Sequence, residues 1–265
     1  MNISCKAIVL TIGLFYTKSA KTAHGLIRAS RRFSIVAIID KKFAGLFALL
    51  DENEKIHLNE NSKGIPVYKD VKAFVKSSCE ASFCIVGVAS AGGVLPNEMR
   101  ADIIESMNSG LSIINGLHSM LNEDSELKSF SKKNNVQIHD IRKIRPREDL
   151  SFWSGKISEV KSTKIVVMGT DCGLGKRTTA KMVVDALNKK GCKADMIYTG
   201  QTGWMQGWDY GFVFDSTVND FVSGELERAV VSWRAVIDKY QPTRPYPKVG
   251  GGGDVGEKAR VGGGG

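Results

Sequence analysis

The chain has 265 residues, 42% of them apolar, enough for two compact units with cores of their own, and no apolar run approaches the roughly 20 residues that cross a bilayer. Its formal net charge is +9, from 37 Lys and Arg against 28 Asp and Glu, with the basic residues scattered among acidic ones; a solvated basic surface is expected, and a nucleic-acid partner is not. Five cysteines with no CxxC pair and no metal-ligand spacing argue for reduced thiols, and the run at 7–16 has too thin a basic lead and no convincing cleavage site for a signal peptide, so a soluble cytoplasmic protein is expected.

Taken in chain order, residues 1–150 alternate β-rich runs with helical stretches. Strands are expected at 7–13, 34–40, 81–89, 111–115 and 136–141, and helices at 21–30, 69–77, 97–108 and 123–133. This alternation predicts an α/β domain with a doubly wound parallel sheet. The stretch 143–156, with Arg145-Pro146-Arg147, breaks the rhythm and reads as the connection to a second unit. That unit, 151–240, shows strands only at 164–169, 194–199 and 211–215, where such sheets carry about five, so its α/β fold reads as C-terminally truncated. From 241 to 265, three prolines and two glycine runs predict a flexible tail without a core.

The most informative segment is Gly169-Thr170-Asp171-Cys172-Gly173-Leu174-Gly175-Lys176, set between a buried-type strand, Ile165-Val166-Val167-Met168, and a helical pattern over 178–187. Glycines let backbone N–H groups turn inward, the helix N-terminus supplies its positive dipole end, and Lys176 adds a full charge; together they suit a di- or triphosphate. Five residues instead of four separate Gly169 from Gly175, and Arg177 stands where a magnesium-binding hydroxyl is usual. Thr178, followed by Thr179, is then the candidate metal ligand, and Arg177 a bidentate phosphate contact. Asp171 reads equally as a metal or base partner and as a turn former; Cys172 reads as small filler.

Thr199-Gly200-Gln201-Thr202-Gly203-Trp204 follows the second strand of this unit, at the carboxyl end where open α/β sheets bind ligands. Gln201 and Thr202 are candidate ligand contacts, while Trp204 reads as a stacking platform or as packing. Asp215 ends the third strand as a candidate for a metal or a substrate ammonium; Asp220 reads as a helix cap, and Glu225 lies inside the helix that follows. In the first unit the loop after strand one lacks G-x-G-x-x-G, so the lone Asp40 at the end of strand two is weak support for a ribose. His24 opens a helix, and His118 lies at a strand end, where chemistry gathers.

The ordered motifs Thr22-Ala23-His24-Gly25-Leu26-Ile27-Arg28, Gly116-Leu117-His118, Asp140-Ile141-Arg142-Lys143, the loop 169–179 and Tyr198-Thr199-Gly200-Gln201-Thr202-Gly203-Trp204 resemble the two-domain family that includes D-glutamate N-acetyltransferase. The resemblance covers roughly residues 6–240. It implies a Rossmann-like N-terminal domain followed by a P-loop NTPase-like domain with further strands beyond position 240. It also implies a transferase that binds acetyl-CoA through the loop and N-acetylates a small amino acid such as D-glutamate, with His118 and Asp215 as the candidate catalytic groups. The loop is similar to that of dethiobiotin synthetase as well, which implies an ATP- and magnesium-dependent ligase or kinase as the alternative; a non-catalytic nucleotide or coenzyme sensor is the third reading. A homo-oligomer is compatible with each, and none calls for a nucleic acid or a membrane.

Overall fold

The computed structural model describes residues 5–60, 63–171 and 174–240, so the tail expected at 241–265 lies outside the described residues. The first unit is an eight-stranded sheet. Its strands are β1 (Cys5–Leu10), β2 (Phe33–Ile39), β3 (Phe47–Leu50), β4 (Ile56–Asn59), β5 (Ile65–Tyr68), β6 (Phe83–Val86), β7 (Ser112–Asn115) and β8 (Ile138–Asp140), in the spatial order β4-β3-β5-β2-β1-β6-β7-β8. The helices are α1 (Lys21–Arg28), α2 (Val71–Val75), α3 (Asn97–Asn108) and α4 (Ser125–Lys133). Strand β1 sits centrally, parallel to both β2 and β6. Ala7, Ile8, Val9 and Leu10 are fully buried there, as a strand covered on both faces requires. Helices α2, α3 and α4 pack in a row against one another, whereas α1 packs against a helix of the second unit.

The sheet is parallel except at one edge. Strands β3 and β4 form an antiparallel hairpin, and β3 also runs antiparallel to β5, so the parallel sheet expected from the β-α rhythm carries an antiparallel edge. A two-strand excursion needs no crossover helix, because antiparallel neighbours are joined by a short turn.

The second unit is smaller. It contains α5 (Lys176–Lys189), β9 (Ile197–Tyr198), α6 (Gln201–Gln206), β10 (Tyr210–Gly211) and α7 (Val222–Tyr240), with β9 and β10 in a parallel two-stranded ladder. Val184, Met196 and Trp208 form its compact apolar cluster. The strand expected at 164–169 has no ladder partner among the described residues, and Ile165, Val166 and Met168 are 62, 77 and 84% exposed. Burial of such a run needs a neighbour on each side, and the two-residue strands β9 and β10 pair only with each other. The strand expected at 211–215 is likewise shortened, since Phe214–Ser216 closes into a 3-10 turn.

Two buried carboxylates of α7 fasten the connection between the units. Glu225 accepts from the Ser151 backbone N–H at 2.9 Å and from Arg145 Nη1 at 2.6 Å. Glu227 accepts from the N–H groups of Ser154 at 2.6 Å and Ile157 at 3.0 Å. Just before them the helix backbone lies so close that a Cβ at Gly224 would stand 2.0 Å from the Ser151 carbonyl oxygen. Among the described residues no helix is long and apolar enough to cross a membrane.

Candidate functional site at the seam between the two units

Gly175 caps α5 with φ +91°, a left-handed conformation that glycine takes without a Cβ clash. Its carbonyl accepts the Thr179 N–H at 2.9 Å, which starts the helix. Lys176, the first helical residue, folds back so that Nζ donates to the Asp171 carbonyl oxygen, and its methylenes pass 3.3 Å from where a Cβ of Gly169 would be. The ammonium thus closes the ring of the loop, the position from which it reaches a phosphate cradled by backbone N–H groups. Thr170, Asp171, Leu174 and Thr179 are exposed, and Cys172 and Gly173 lie outside the described residues.

The next two positions face elsewhere. Arg177 and Thr178 line a small pocket with Gly25, Arg28, Glu54, Lys181 and Gln206, between α5 and α1. Arg177 Nη2 would stand 2.7 Å from a Cβ at Gly25, so the glycine on α1 leaves room for the guanidinium in this position. Burial, then the like charge of Arg28, brings its pKa down to about 10.

Helix α6 turns Thr202, Trp204 and Gln206 towards the first unit and so helps to hold the units together. Thr202 is 4% exposed, with its hydroxyl 3.4 Å from that of Thr22 on α1. Gln206 donates to the Gly25 carbonyl at 2.8 Å. The Trp204 ring is covered by the Arg32 guanidinium at 4.3 Å, and Arg32 Nε donates to the Trp204 carbonyl at 2.9 Å. Of this motif only Gln201 lies beside a strand-end loop, its Cγ 3.2 Å from the position of a Gly116 Cβ.

That loop carries His118 and is tightly tied. Asn115 Nδ2 donates to the Ser119 carbonyl and to Asp140 Oδ1, each at 2.7 Å. Asp140 also accepts from the N–H groups of Leu121 at 3.0 Å and Asn122 at 2.9 Å. The His118 N–H donates to the Gly93 carbonyl at 3.0 Å. In the turn two residues past the end of β8, Arg142 Nε donates to the Gly116 carbonyl at 2.7 Å, and Arg142 Nη1 pairs with Asp215 of the second unit. Desolvation and then the Arg142 charge hold the His118 imidazole below its ordinary pKa. Arg142 thus joins the loop that carries His118 to Asp215, with Gln201 beside Gly116 of the same loop, a role that the sequence motifs alone do not give it. The signal for it is Asp140-Ile141-Arg142, where an acid and a base flank the end of a strand.

Asp40 and His24 are held by hydrogen bonds within the first unit. Asp40 is fully buried and accepts from Thr11 Oγ1 at 2.7 Å and from the N–H groups of Phe15 and Lys42; it pins the loop after β1, with no face left for a ribose. His24 meets the Phe15 carbonyl at 2.6 Å, and burial lowers its pKa. Asp220 sits exposed in the 3-10 turn before α7. No cluster of three or more His, Cys, Asp or Glu side chains suited to a metal occurs among the described residues.

A Rossmann-like sheet joined to a P-loop unit, with strand-end loops of the first meeting the second, defines a two-domain α/β protein of the nucleotide-fold type. Residues 51–144 match the family model described as the Rossmann-like domain DUF1611_N, and 151–240 match the P-loop domain of DUF1611. The chain belongs to the DUF1611 family. A D-glutamate N-acetyltransferase of Pseudoalteromonas is 33% identical over 156 residues, covering 57% of this chain and 46% of the relative. One of the same name from Tritonibacter scottomollicae is 27% identical over 147 residues, covering 56% and 43%. The chain thus spans somewhat less than half of these relatives' length. The crystal structure of a DUF1611 family protein from Anabaena variabilis is 26% identical with a TM-score of 0.72, covering 87% of this chain and 63% of that one.

Proposed function

We propose that the protein N-acetylates a small amino acid, with D-glutamate the leading candidate, using acetyl-CoA, in the cytoplasm. The observation that carries this reading is the similarity to two relatives that bear that name. The loop 169–179 is then the grip on the coenzyme's phosphates, through Lys176 and backbone N–H groups.

In the reaction the substrate ammonium first gives a proton to a base. The free amine attacks the thioester carbonyl, a C–N bond forms, the C–S bond breaks, and the departing thiolate takes a proton. His118 is the base in this scheme: its lowered pKa keeps the ring neutral and able to accept a proton at neutral pH. Asp215, paired with Arg142, holds the guanidinium in place and so sets the charge beside His118. The Gln201 amide and the loop N–H groups are the donors for the tetrahedral oxyanion.

The loop sequence also supports an ATP- and magnesium-dependent ligase, with Thr178 as the metal ligand. The setting of Thr178 in a pocket with Arg28, Arg177, Lys181 and Glu54 speaks for the transferase, because three of the four charged side chains lining that pocket are cations. The test is calorimetric binding of acetyl-CoA, and of ATP with and without magnesium, to the wild type and to Lys176→Ala, followed by acetyl transfer to D- and L-amino acids. Metal-independent acetyl-CoA binding that needs Lys176, with acetylation of one enantiomer, is expected. Magnesium-dependent ATP turnover without acetyl transfer would overturn the reading.

A further inference from the structure

The pocket between α1 and α5 gathers three cations, Arg28, Arg177 and Lys181, against one carboxylate, Glu54. Arg177 makes no ion pair or hydrogen bond with any described residue, and Arg28 uses only Nε, which donates to the Glu54 backbone carbonyl at 2.9 Å. The Glu54 side chain is engaged elsewhere: its Oε1 lies 3.1 Å from Lys181 Nζ, which also holds Asp185 at 2.7 Å. Two guanidiniums therefore line a space whose one acid is held by Lys181. A fold that brings like charges together in a partly buried place raises its own energy unless an anion joins them.

A second observation points the same way. Gln206 is 6% exposed, and its Oε1 is buried without a hydrogen-bond partner, while its Nε2 donates to the Gly25 carbonyl. That donation fixes the amide orientation, so the orphan is an acceptor. A buried polar atom left unpaired is costly, and it marks a place where a ligand group or water completes the bonding. The enclosed space is about 10 Å³, close to what one water-sized group occupies, so a ligand enters end-on.

We infer that this pocket is an oxyanion subsite separate from the phosphate loop. In it Arg28 and Arg177 take the terminal carboxylate or phosphoryl group of a small ligand, and Gln206 Oε1 accepts from a proton-bearing group beside it. The two arginines offer planar forks that suit either oxyanion, and the Thr178 side of the pocket adds the first turn of α5. The assignment does not depend on acetyl transfer, since it rests on charge and on an unmet acceptor.

The experiment is titration calorimetry of the whole chain with glutarate and, separately, with inorganic phosphate at fixed ionic strength, on the wild type, Arg28→Gln and Lys176→Ala. At least one anion should bind the wild type. Arg28→Gln should weaken glutarate binding, or the part of phosphate binding that survives Lys176→Ala, by about ten-fold or more, the loss of one charge-assisted contact, and Lys176→Ala should leave glutarate binding within about two-fold, because Lys176 does not line the pocket. Glutarate alone binding identifies a carboxylate site, phosphate alone a phosphoryl site, and both a site for either. Binding of neither anion would overturn the proposal, as would binding that Lys176→Ala removes and Arg28→Gln spares. A melting curve without anion guards against misfolding: Arg28→Gln should melt close to the wild type, because relief of the like charge of Arg177 offsets loss of the hydrogen bond to the Glu54 carbonyl. A clearly lower midpoint would also overturn this account of the pocket.

Discussion

Glu225→Gln is the most searching perturbation of the joint between the units. The carboxylate is fully buried and is met by Arg145 Nη1 at 2.6 Å, Arg228 Nη2 at 2.9 Å and the Ser151 N–H at 2.9 Å. Burial alone would raise its pKa; the hydrogen bonds from Arg228, Ser151 and Arg145 outweigh it and hold the value at about 2 against an ordinary 4.5. A depression of that size corresponds to about 3 kcal/mol of stability. Breaking a buried pair independently costs about 3–5 kcal/mol, and partial exposure of both arginines favours the lower end. The sign follows from the folded pKa lying below the unfolded one: the contribution is complete above about pH 4.5 and is lost as pH falls towards 2. The assay is chemical denaturation of wild type and variant at pH 7 and pH 3, with hydrogen exchange at the Ser151 amide. The variant should lose about 3 kcal/mol at pH 7, and less than about half of that difference should survive at pH 3. A difference below about 1 kcal/mol at pH 7, or one that does not shrink in acid, would refute the reasoning.

Gly224→Ala should lower stability by about 2 kcal/mol or more, measured as a drop in melting temperature, because the new Cβ meets the Ser151 carbonyl oxygen. Lys176→Ala should weaken acetyl-CoA binding by about ten-fold or more in calorimetry, since the loop loses its full charge. His118→Gln should reduce acetyl transfer by about a hundred-fold; the wild-type rate should hold to below pH 6.5 before falling in acid, because the imidazole pKa is lowered, and the variant should lose that acid limb. Asp140→Asn should raise the exchange rate of the Leu121 and Asn122 amides it binds and reduce transfer with an unchanged melting point for α5.

The features of the fold legible in the sequence were those with local causes. The run Ala7-Ile8-Val9-Leu10 is apolar without alternation because both faces of β1 are covered, and the expected helix at 97–108 coincides with α3. The hairpin β3-β4 was not legible: its strands are short, Ile56-His57-Leu58-Asn59 alternates with polar residues, and Pro66 in β5 reads as a breaker until its place beside Phe47 is known. The segment 164–169 misled in the opposite sense, since its apolar composition predicts burial that depends on neighbours far away in the chain. At the site, the phosphate loop was visible as a pattern of glycines. Arg142 and the Arg28–Arg177 pair were not, because like and unlike charges meet there only once α1, β8 and α5 are placed in space. Thr202 and Trp204 looked free to contact a ligand for the same reason, their partners Thr22 and Arg32 being on the other unit.

Helix α1 belongs to the sheet of the first unit by sequence, yet its Thr22, Gly25 and Arg28 are shaped to the second. An exchange of halves between relatives, cut in the connection at 143–156, would therefore separate a pair of surfaces that fit only each other. A chimera should remain well folded only when the stretch around Gly25 travels with the stretch around Thr202 and Arg177. The working unit for engineering this protein is that pair of segments, and neither sheet alone.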